Sequence, residues 1–153
     1  MNDDVEDLML QLSRILPAPP DAVFAACVEP EELRRWWGPK GFTSPGVELD
    51  VRVGGKYRIA MQPPDGEVFF LSGEFREVRP PSRLAFTFVW EPADVDDVET
   101  VAVLDLEDLD GRTRLDLRQG AFATGARRDL HEGGWTDSLD RLEELLVTRR
   151  DGA

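Results

Sequence analysis

The sequence has few of the side chains that most often carry out chemistry. Its 153 residues include one cysteine, Cys27, and one histidine, His131. A single cysteine excludes a disulfide within the chain and is typical of a reducing cytoplasm, the location we expect. One cysteine and one histidine are too few for a thiolate and imidazole zinc site, so no metal is predicted. No phosphate loop, nucleophile elbow or dinucleotide fingerprint is present, and no cofactor is predicted.

Long apolar runs and an excess of positive charge are also missing. No segment approaches the about 20 apolar residues that a membrane-spanning helix needs, so no membrane insertion is expected. The acidic start, MNDDVED, lacks the basic and apolar parts of a signal peptide. The formal net charge of −13 repels phosphate backbones, so nucleic acid is not an expected partner. We interpret the acidity as a contribution to solubility rather than as a docking face.

The remaining composition is that of a folded protein with a proper core. Hydrophobic residues make up 41% of the chain and aromatic residues 8%, which argues against disorder. The length suits one domain, and neither an internal repeat nor a boundary interrupts it. Residues 1–153 are therefore interpreted as a single domain.

The clearest pattern lies at the end of the chain, from about Ala126 to Arg150. Apolar residues recur there at steps of three and four: Trp135, Leu139, Leu142, Leu145 and Leu146. Charged residues fill the positions between them, which predicts one long amphipathic helix. Gly133 and Gly134 interrupt this pattern, and each costs about 1 kcal/mol relative to alanine in a helix. We therefore expect a kink or a close contact at the two glycines.

The middle of the chain alternates apolar and polar residues in short segments, which is typical of strands. The predicted strands are Val5–Leu16, Val47–Val51, Tyr57–Met61, Val68–Val78, Leu84–Trp90, Val98–Leu106 and Thr113–Gln119. Two short helices, Ala22–Cys27 and Pro30–Trp36, are predicted after the first strand. Short connections favour an antiparallel meander. Gly73, inside a strand, indicates a bulge or a close backbone approach.

This element order, β-α-α-β6-α, indicates the α+β class, with a curved antiparallel sheet around the long C-terminal helix. A bent sheet that holds a helix leaves a concave space, and apolar ligands favour such sites. Candidate pocket residues are Trp37, Phe42, Tyr57, Met61, Phe70, Phe88, Trp90, Leu117, Phe122, His131, Trp135 and Leu139. The alternative is that these side chains fill the core completely.

Two of these positions have competing interpretations. Adjacent residues of a helix point about 100° apart, so we expect Trp36 to seal the end of the sheet and Trp37 to lie nearer the pocket. His131 has a side chain that titrates near neutral pH and could act as an acid or base. No serine or cysteine stands at a readable spacing from it. A structural histidine, satisfied by backbone or a carboxylate, is therefore the favoured interpretation.

Several of these segments, taken in order, resemble a known family. They include Arg14-Ile15-Leu16, Trp36-Trp37-Gly38-Pro39, Asp50-Val51-Arg52-Val53-Gly54-Gly55, and His131 followed by Gly134-Trp135. Together they resemble the heat-shock protein ninety ATPase activator homologue-like branch of the SRPBCC (START-like) superfamily. The resemblance implies a helix-grip fold. Such a fold has a seven-stranded antiparallel sheet, two small helices at one end and a long C-terminal helix over an apolar cavity.

The resemblance implies less about function, because fold does not determine function. Members with this architecture are mostly ligand carriers or sensors, and some are cyclases or aromatases. We expect non-enzymatic binding of a small, largely apolar molecule. The alternatives are a protein-interaction module that binds a chaperone or another protein, and an enzyme of the cyclase or aromatase type. A homodimer is among the oligomeric states that the sequence allows.

Overall fold

In the described part of the chain, the sheet has seven strands and is antiparallel throughout, as the sequence pattern and the family resemblance predict. The computed structural model describes residues 5–151. The strands are β1 (Leu10–Leu16), β2 (Val47–Leu49), β3 (Lys56–Met61), β4 (Phe69–Arg79), β5 (Arg83–Glu91), β6 (Thr100–Asp108) and β7 (Thr113–Gly120). Their spatial order is β1-β7-β6-β5-β4-β3-β2, so every strand after the first pairs with its neighbour in sequence. The α+β helix-grip class is confirmed.

Within residues 5–151, three α-helices accompany the sheet: α1 (Pro20–Val28), α2 (Pro30–Leu33) and α3 (Gly125–Asp151). The side-chain oxygen of Thr124 accepts from the backbone N–H of Arg127 at 3.1 Å, which explains why α3 begins at this point. The apolar stripe of α3 packs into the core, with Leu139 and Leu142 almost fully buried. Among residues 5–151, no helix is both long enough and apolar enough to cross a membrane.

Several predicted boundaries differ from the observed ones: β2 ends at Leu49 rather than Val51, and β6 begins at Thr100 rather than Val98. The two largest differences are at the first strand and the second helix. The first strand begins at Leu10, and Val5–Leu8 form a short 3-10 helix instead. Leu10 pairs with Gln119, one residue before β7 ends, so the β1–β7 ladder ends at this point. The second helix ends at Leu33 rather than at Trp36, because the chain tightens into turns there. The N–H of Trp36 donates to the Leu33 carbonyl, three residues back, at 3.2 Å.

The close approach predicted at Gly73 is confirmed. A Cβ atom added to Gly73 would lie 2.0 Å from the carbonyl oxygen of Thr87 and 2.7 Å from Cε2 of Tyr57. The same Thr87 oxygen accepts a hydrogen bond from the Tyr57 hydroxyl at 2.5 Å. Strands β3, β4 and β5 are therefore held together at a point that no larger residue than glycine fits.

Of the two features predicted at Gly133 and Gly134, a kink or a close contact, the close contact is wrong, and the kink stays a prediction. Helix α3 continues through both glycines, and a Cβ atom added to either one would meet no atom within 4 Å. Gly133 is exposed, whereas Gly134 is partly buried. The glycines therefore leave space beside the helix instead of allowing a neighbouring backbone to approach it.

Charged side chains fix the position of α3 on the rest of the fold. Arg14 of β1 reaches Asp140 at 2.8 Å and Glu143 at 3.1 Å. Arg141, the residue after Asp140, donates through Nη1 to the carbonyl oxygens of residues 37, 38 and 39, at 2.9, 3.0 and 3.2 Å. Arg141 thereby ties the turn after α2 to the helix, and this turn forms one wall of the cavity described next.

Candidate functional site

A cavity of about 470 Å³ lies between α3 and the sheet, and it is open to solvent at one end. Helix α3 contributes six residues to its wall: Arg127, Leu130, His131, Gly134, Trp135 and Ser138. Successive members of this set are three residues and one residue apart in alternation, which places all six on one face of the helix. Because Gly134 has no side chain, this face is recessed in its middle.

The opposite wall is made by strands β3, β4 and β5 through Met61, Phe69, Phe88 and Trp90. Met61 and Phe69 are partners across the β3–β4 ladder, so their side chains point to the same face of the sheet. The rings of Phe69 and Phe88 lie 5.5 and 5.3 Å from the Trp90 ring. Such centroid distances suit aromatic pairs that pack at an angle. The wall is therefore aromatic and closely packed.

Two loop segments complete the cavity. Trp37, Gly38 and Pro39 line it after α2, and Pro92, Asp94 and Asp97 line it in the acidic loop after β5. The Trp37 ring packs against the Trp135 ring at a centroid distance of 5.1 Å.

Six of the residues predicted from the sequence line this cavity: Trp37, Met61, Phe88, Trp90, His131 and Trp135. The other six, Phe42, Tyr57, Phe70, Leu117, Phe122 and Leu139, lie elsewhere. Leu117 and Leu139 are buried in the core, and Phe42 packs behind Phe69 at a ring distance of 6.2 Å. Phe122 packs against the His131 ring at 4.6 Å. Which of these side chains contact a ligand stays a prediction.

Phe70 and Tyr57 show why alternation alone assigned to the cavity some residues that do not line it. Phe70 faces the other side of the sheet, where the Arg58 guanidinium lies 3.7 Å from its ring centroid. Its neighbour Phe69 faces the cavity instead. Tyr57 lies in a different part of the interior, where the remaining void is only about 20 Å³. A void of that size has room for about one water molecule, so complete filling, the alternative interpretation, describes this part of the core.

The mouth of the cavity is acidic. Arg127 lies 3.1 Å from a carboxylate oxygen of Asp94 and 3.7 Å from one of Asp97. The Asp97 side chain is only 10% exposed, whereas that of Asp94 is 72% exposed. One cation between two carboxylates leaves an excess negative charge at the entrance, which disfavours an anionic molecule.

Both ring nitrogens of His131 have partners. The indole N–H of Trp90 donates to Nε2 of His131 at 2.8 Å, and Nδ1 lies 2.8 Å from the carbonyl oxygen of Arg127. An indole N–H can only donate, so Nε2 accepts and Nδ1 carries the proton that it donates to the carbonyl. This arrangement requires the neutral imidazole. It leaves no free lone pair on His131 for removing a proton from a bound molecule.

Burial lowers the pKa of His131 below its usual 6.5, because desolvation disfavours the charged imidazolium. The hydrogen bond to the Arg127 carbonyl and the charge of Asp97 raise the pKa by smaller amounts, and the positive charge of Arg127 lowers it further. A lowered folded-state pKa means that the unfolded chain binds a proton first as the pH falls. The stability that neutral His131 contributes is therefore present above about pH 6.5 and is lost as the pH falls from there toward the folded-state pKa.

We expect His131→Gln to reduce the loss of stability on acidification. Urea midpoints of both proteins at about pH 7.5 and about pH 5.5 test this, because the difference between the two proteins isolates His131 from the carboxylates. The wild-type midpoint should fall further over this interval than that of the variant. Equal falls would show that protonation of His131 is not linked to folding.

Cys27 lies away from the cavity and is buried. Desolvation raises the pKa of its thiol to about 12, so the reactive thiolate is scarce at neutral pH. In the part of the chain that the structure describes, no group of three or more histidine, cysteine, aspartate or glutamate side chains is placed to hold a metal ion.

The missed cavity residues carried different amounts of signal in the sequence. Phe69 could have been found from its pairing with Met61, once the β3–β4 register was fixed. Gly134 could have been found from its position in the apolar stripe of a helix. Asp94 and Asp97 lie in a loop with no periodicity, so only the three-dimensional structure brings them to the cavity.

Comparison with known proteins places this geometry in a family. The family model described as activator of Hsp90 ATPase homolog 1-like protein matches residues 17–147. No curated protein matches the chain.

Solved bacterial structures have the same fold over nearly their whole length. Protein NE0264 from Nitrosomonas europaea is 30% identical, with a TM-score of 0.80 and 99% of each chain covered. The AHSA1 (SPO3351) protein from Silicibacter pomeroyi is 31% identical, with a TM-score of 0.81, covering 92% of this chain and 99% of its own. Protein CV1439 from Chromobacterium violaceum is 28% identical, with a TM-score of 0.82, and the match covers 91% of this chain and 96% of that protein.

Proposed function

The chain belongs to the activator of Hsp90 ATPase homolog 1-like family, and from that premise we propose that it binds a small, largely apolar molecule in the cavity under α3 without catalysing a reaction. We place this binding in the cytoplasm, where the free thiol of Cys27 stays reduced.

The observation that carries the proposal is the cavity itself. Its volume of about 470 Å³ lies within the range of about 300–1,000 Å³ that is typical of small-molecule sites. Met61, Phe69 and Phe88 offer apolar surface on one side, and Trp37 and Trp135 offer it on the other. Burying a ligand there removes apolar area from water, at a gain of about 25 cal/mol per Å².

The ionisable groups at the cavity support binding rather than catalysis. His131 has both ring nitrogens in hydrogen bonds, and Arg127 is paired with the two carboxylates at the mouth. General acid–base catalysis needs a group whose proton or lone pair can reach the substrate. The hydrogen bonds of His131 would have to break before it could serve in that way.

A neutral fluorescent probe tests the proposal. N-phenyl-1-naphthylamine is expected to bind with a saturable rise in fluorescence and a stoichiometry of one probe per chain, because its uncharged rings suit an aromatic cavity behind an acidic mouth. Apolar molecules extracted from the protein's own cells can then be screened by displacement of the probe. A fluorescence rise that does not saturate would contradict a defined site.

Activation of a chaperone ATPase is a second candidate function. The description of the matched family names such an activator, and Leu130, at the cavity mouth, is 63% exposed, as an apolar docking residue would be. Stimulation of a purified chaperone ATPase by this protein, lost in Leu130→Asp and retained when the cavity is filled, would favour docking over ligand binding.

A further inference from the structure

Three of the four tryptophans have a matched acceptor for the indole N–H, and the fourth does not. The three bonds run from Trp36 to the Ala26 carbonyl at 2.9 Å, from Trp90 to His131 at 2.8 Å, and from Trp135 to Gln119 at 2.7 Å. Trp37 is only 7% exposed, yet its indole N–H meets no acceptor among residues 5–151. The Trp37 nitrogen is not among the fully buried side-chain atoms that lack a partner in the described part of the chain, so it keeps some accessible surface, and Trp37 lines the cavity.

Ser138 provides a second unused donor on the same side of the cavity. Its side chain is buried, with 4% of the residue exposed, and its oxygen accepts from the backbone N–H of Gly38 at 2.9 Å. The hydroxyl hydrogen has no acceptor among the residues that the structure describes. Ser138 thus contacts the residue next to Trp37, and both side chains line the cavity wall.

We propose that Trp37 and Ser138 form a two-donor subsite for an uncharged oxygen acceptor of the ligand, such as a ketone or amide carbonyl. This inference rests on the proposed function and adds an orientation to it. A carbonyl oxygen has two lone pairs and can accept from both donors at once. Its apolar body then lies along the wall formed by Phe88 and Trp90.

The charges around the cavity favour an uncharged acceptor over a carboxylate. Arg127 is the only cation that lines the cavity within residues 5–151, and Asp94 and Asp97 already pair with it. A carboxylate ligand would have to pass two like charges and would find no free cation inside. A neutral oxygen meets neither obstacle.

The segment that carries Trp37 is rigidly held, so the subsite is formed before the ligand arrives. Arg141 binds the carbonyl oxygens of residues 37 to 39, and the Trp37 ring packs on the Trp135 ring. A preformed pair of donors loses little entropy when a ligand binds.

Three naphthalenes of matched shape test the subsite: 2-acetylnaphthalene, 2-ethylnaphthalene and 2-naphthoate. Calorimetry gives each Kd for the wild type and for Ser138→Ala, with Thr136→Ala as the control. Thr136 lies on the same helix, and its hydroxyl donates to the Glu132 carbonyl outside the cavity. The ketone and the hydrocarbon differ in their affinity for water, so the ratio of variant to wild-type Kd is compared for each compound.

Ser138→Ala is expected to weaken ketone binding about fivefold, as the loss of one hydrogen bond does, and to change hydrocarbon binding by less than about twofold. Thr136→Ala should change neither. In ¹⁵N spectra, the indole N–H resonance of Trp37 should shift on addition of the ketone and stay near its free position with the hydrocarbon. The naphthoate should bind about tenfold more weakly than the ketone.

Equal weakening of the ketone and the hydrocarbon in Ser138→Ala, or equal shifts of the Trp37 resonance, would overturn the subsite and leave the apolar cavity intact as a binding site. Naphthoate binding as tight as the ketone would overturn the choice of an uncharged acceptor. If none of the three compounds binds, the subsite and the proposed function both fail.

Discussion

Gly134→Leu should strongly weaken the binding of an apolar probe and leave the protein folded. Gly134 lies in the middle of the α3 face that lines the cavity, and a Cβ atom added there meets no atom within 4 Å. A leucine side chain can therefore extend from the backbone into the cavity without a clash at its base. It also removes a helix-interior glycine, which favours folding by about 1 kcal/mol. We expect the Kd of N-phenyl-1-naphthylamine to rise at least about thirtyfold, a change of about 2 kcal/mol.

The adjacent glycine provides a matched control. A Cβ atom at Gly133 also meets nothing within 4 Å, but Gly133 is exposed and does not line the cavity. Gly133→Leu should therefore give a similar gain in helix propensity and keep the wild-type Kd. Urea unfolding of both variants measures the stability, and probe titration measures the binding. Equal probe affinity in the two variants would show that the probe binds outside this cavity.

These two glycines also show where sequence reasoning about the fold reached its limit. The pattern of apolar residues was sufficient to predict the long C-terminal helix and the antiparallel sheet, because periods of 3.6 and 2 follow from backbone geometry. The sequence also showed that glycine was unfavourable in the helix. It could not show the reason, because the same glycine suits both a close neighbour and an empty space. Only the position of the sheet relative to α3 decides between them.

The candidate site was predictable where side-chain direction follows from one element and unpredictable where it depends on two. The side-chain directions of Trp135 and His131 follow from the periodicity of one helix, α3, so both were predictable. Phe69 and Phe70 differ by one position in β4, and a shift of one residue exchanges the two faces of a strand. The pairing of Met61 with Phe69 fixes that phase, and it depends on the β3–β4 register. The carboxylates at the mouth, Asp94 and Asp97, could not be predicted, because their positions depend on the path of a whole loop.

The buried amide of Gln119 connects the sheet to the cavity wall. Gln119 is fully buried in β7; its side-chain oxygen accepts from the indole N–H of Trp135 at 2.7 Å, and its nitrogen donates to the Thr100 hydroxyl at 2.9 Å. Trp135 lines the cavity and packs against Trp37. A core position in the sheet therefore sets the orientation of an aromatic ring at the site.

Gln119→Met should lower the free energy of unfolding by about 2–3 kcal/mol, although methionine has a similar volume. The apolar side chain leaves the buried Trp135 N–H without an acceptor and removes the donor to Thr100. The free energies of unfolding in urea of the wild type, Gln119→Met, Trp135→Phe and the double variant form a double-mutant cycle. Trp135→Phe removes the N–H that donates to the Gln119 side-chain oxygen, so the cycle measures this hydrogen bond.

We expect the Gln119→Met substitution to cost about 1–2 kcal/mol less in the Trp135→Phe background than in the wild type. Additive losses would mean that the Trp135–Gln119 hydrogen bond contributes nothing to stability and that the glutamine acts only through packing. Probe titration of Gln119→Met addresses the site: an unsatisfied indole at position 135 is free to turn toward the cavity and compete with the ligand. We therefore expect weaker probe binding even though residue 119 does not line the cavity.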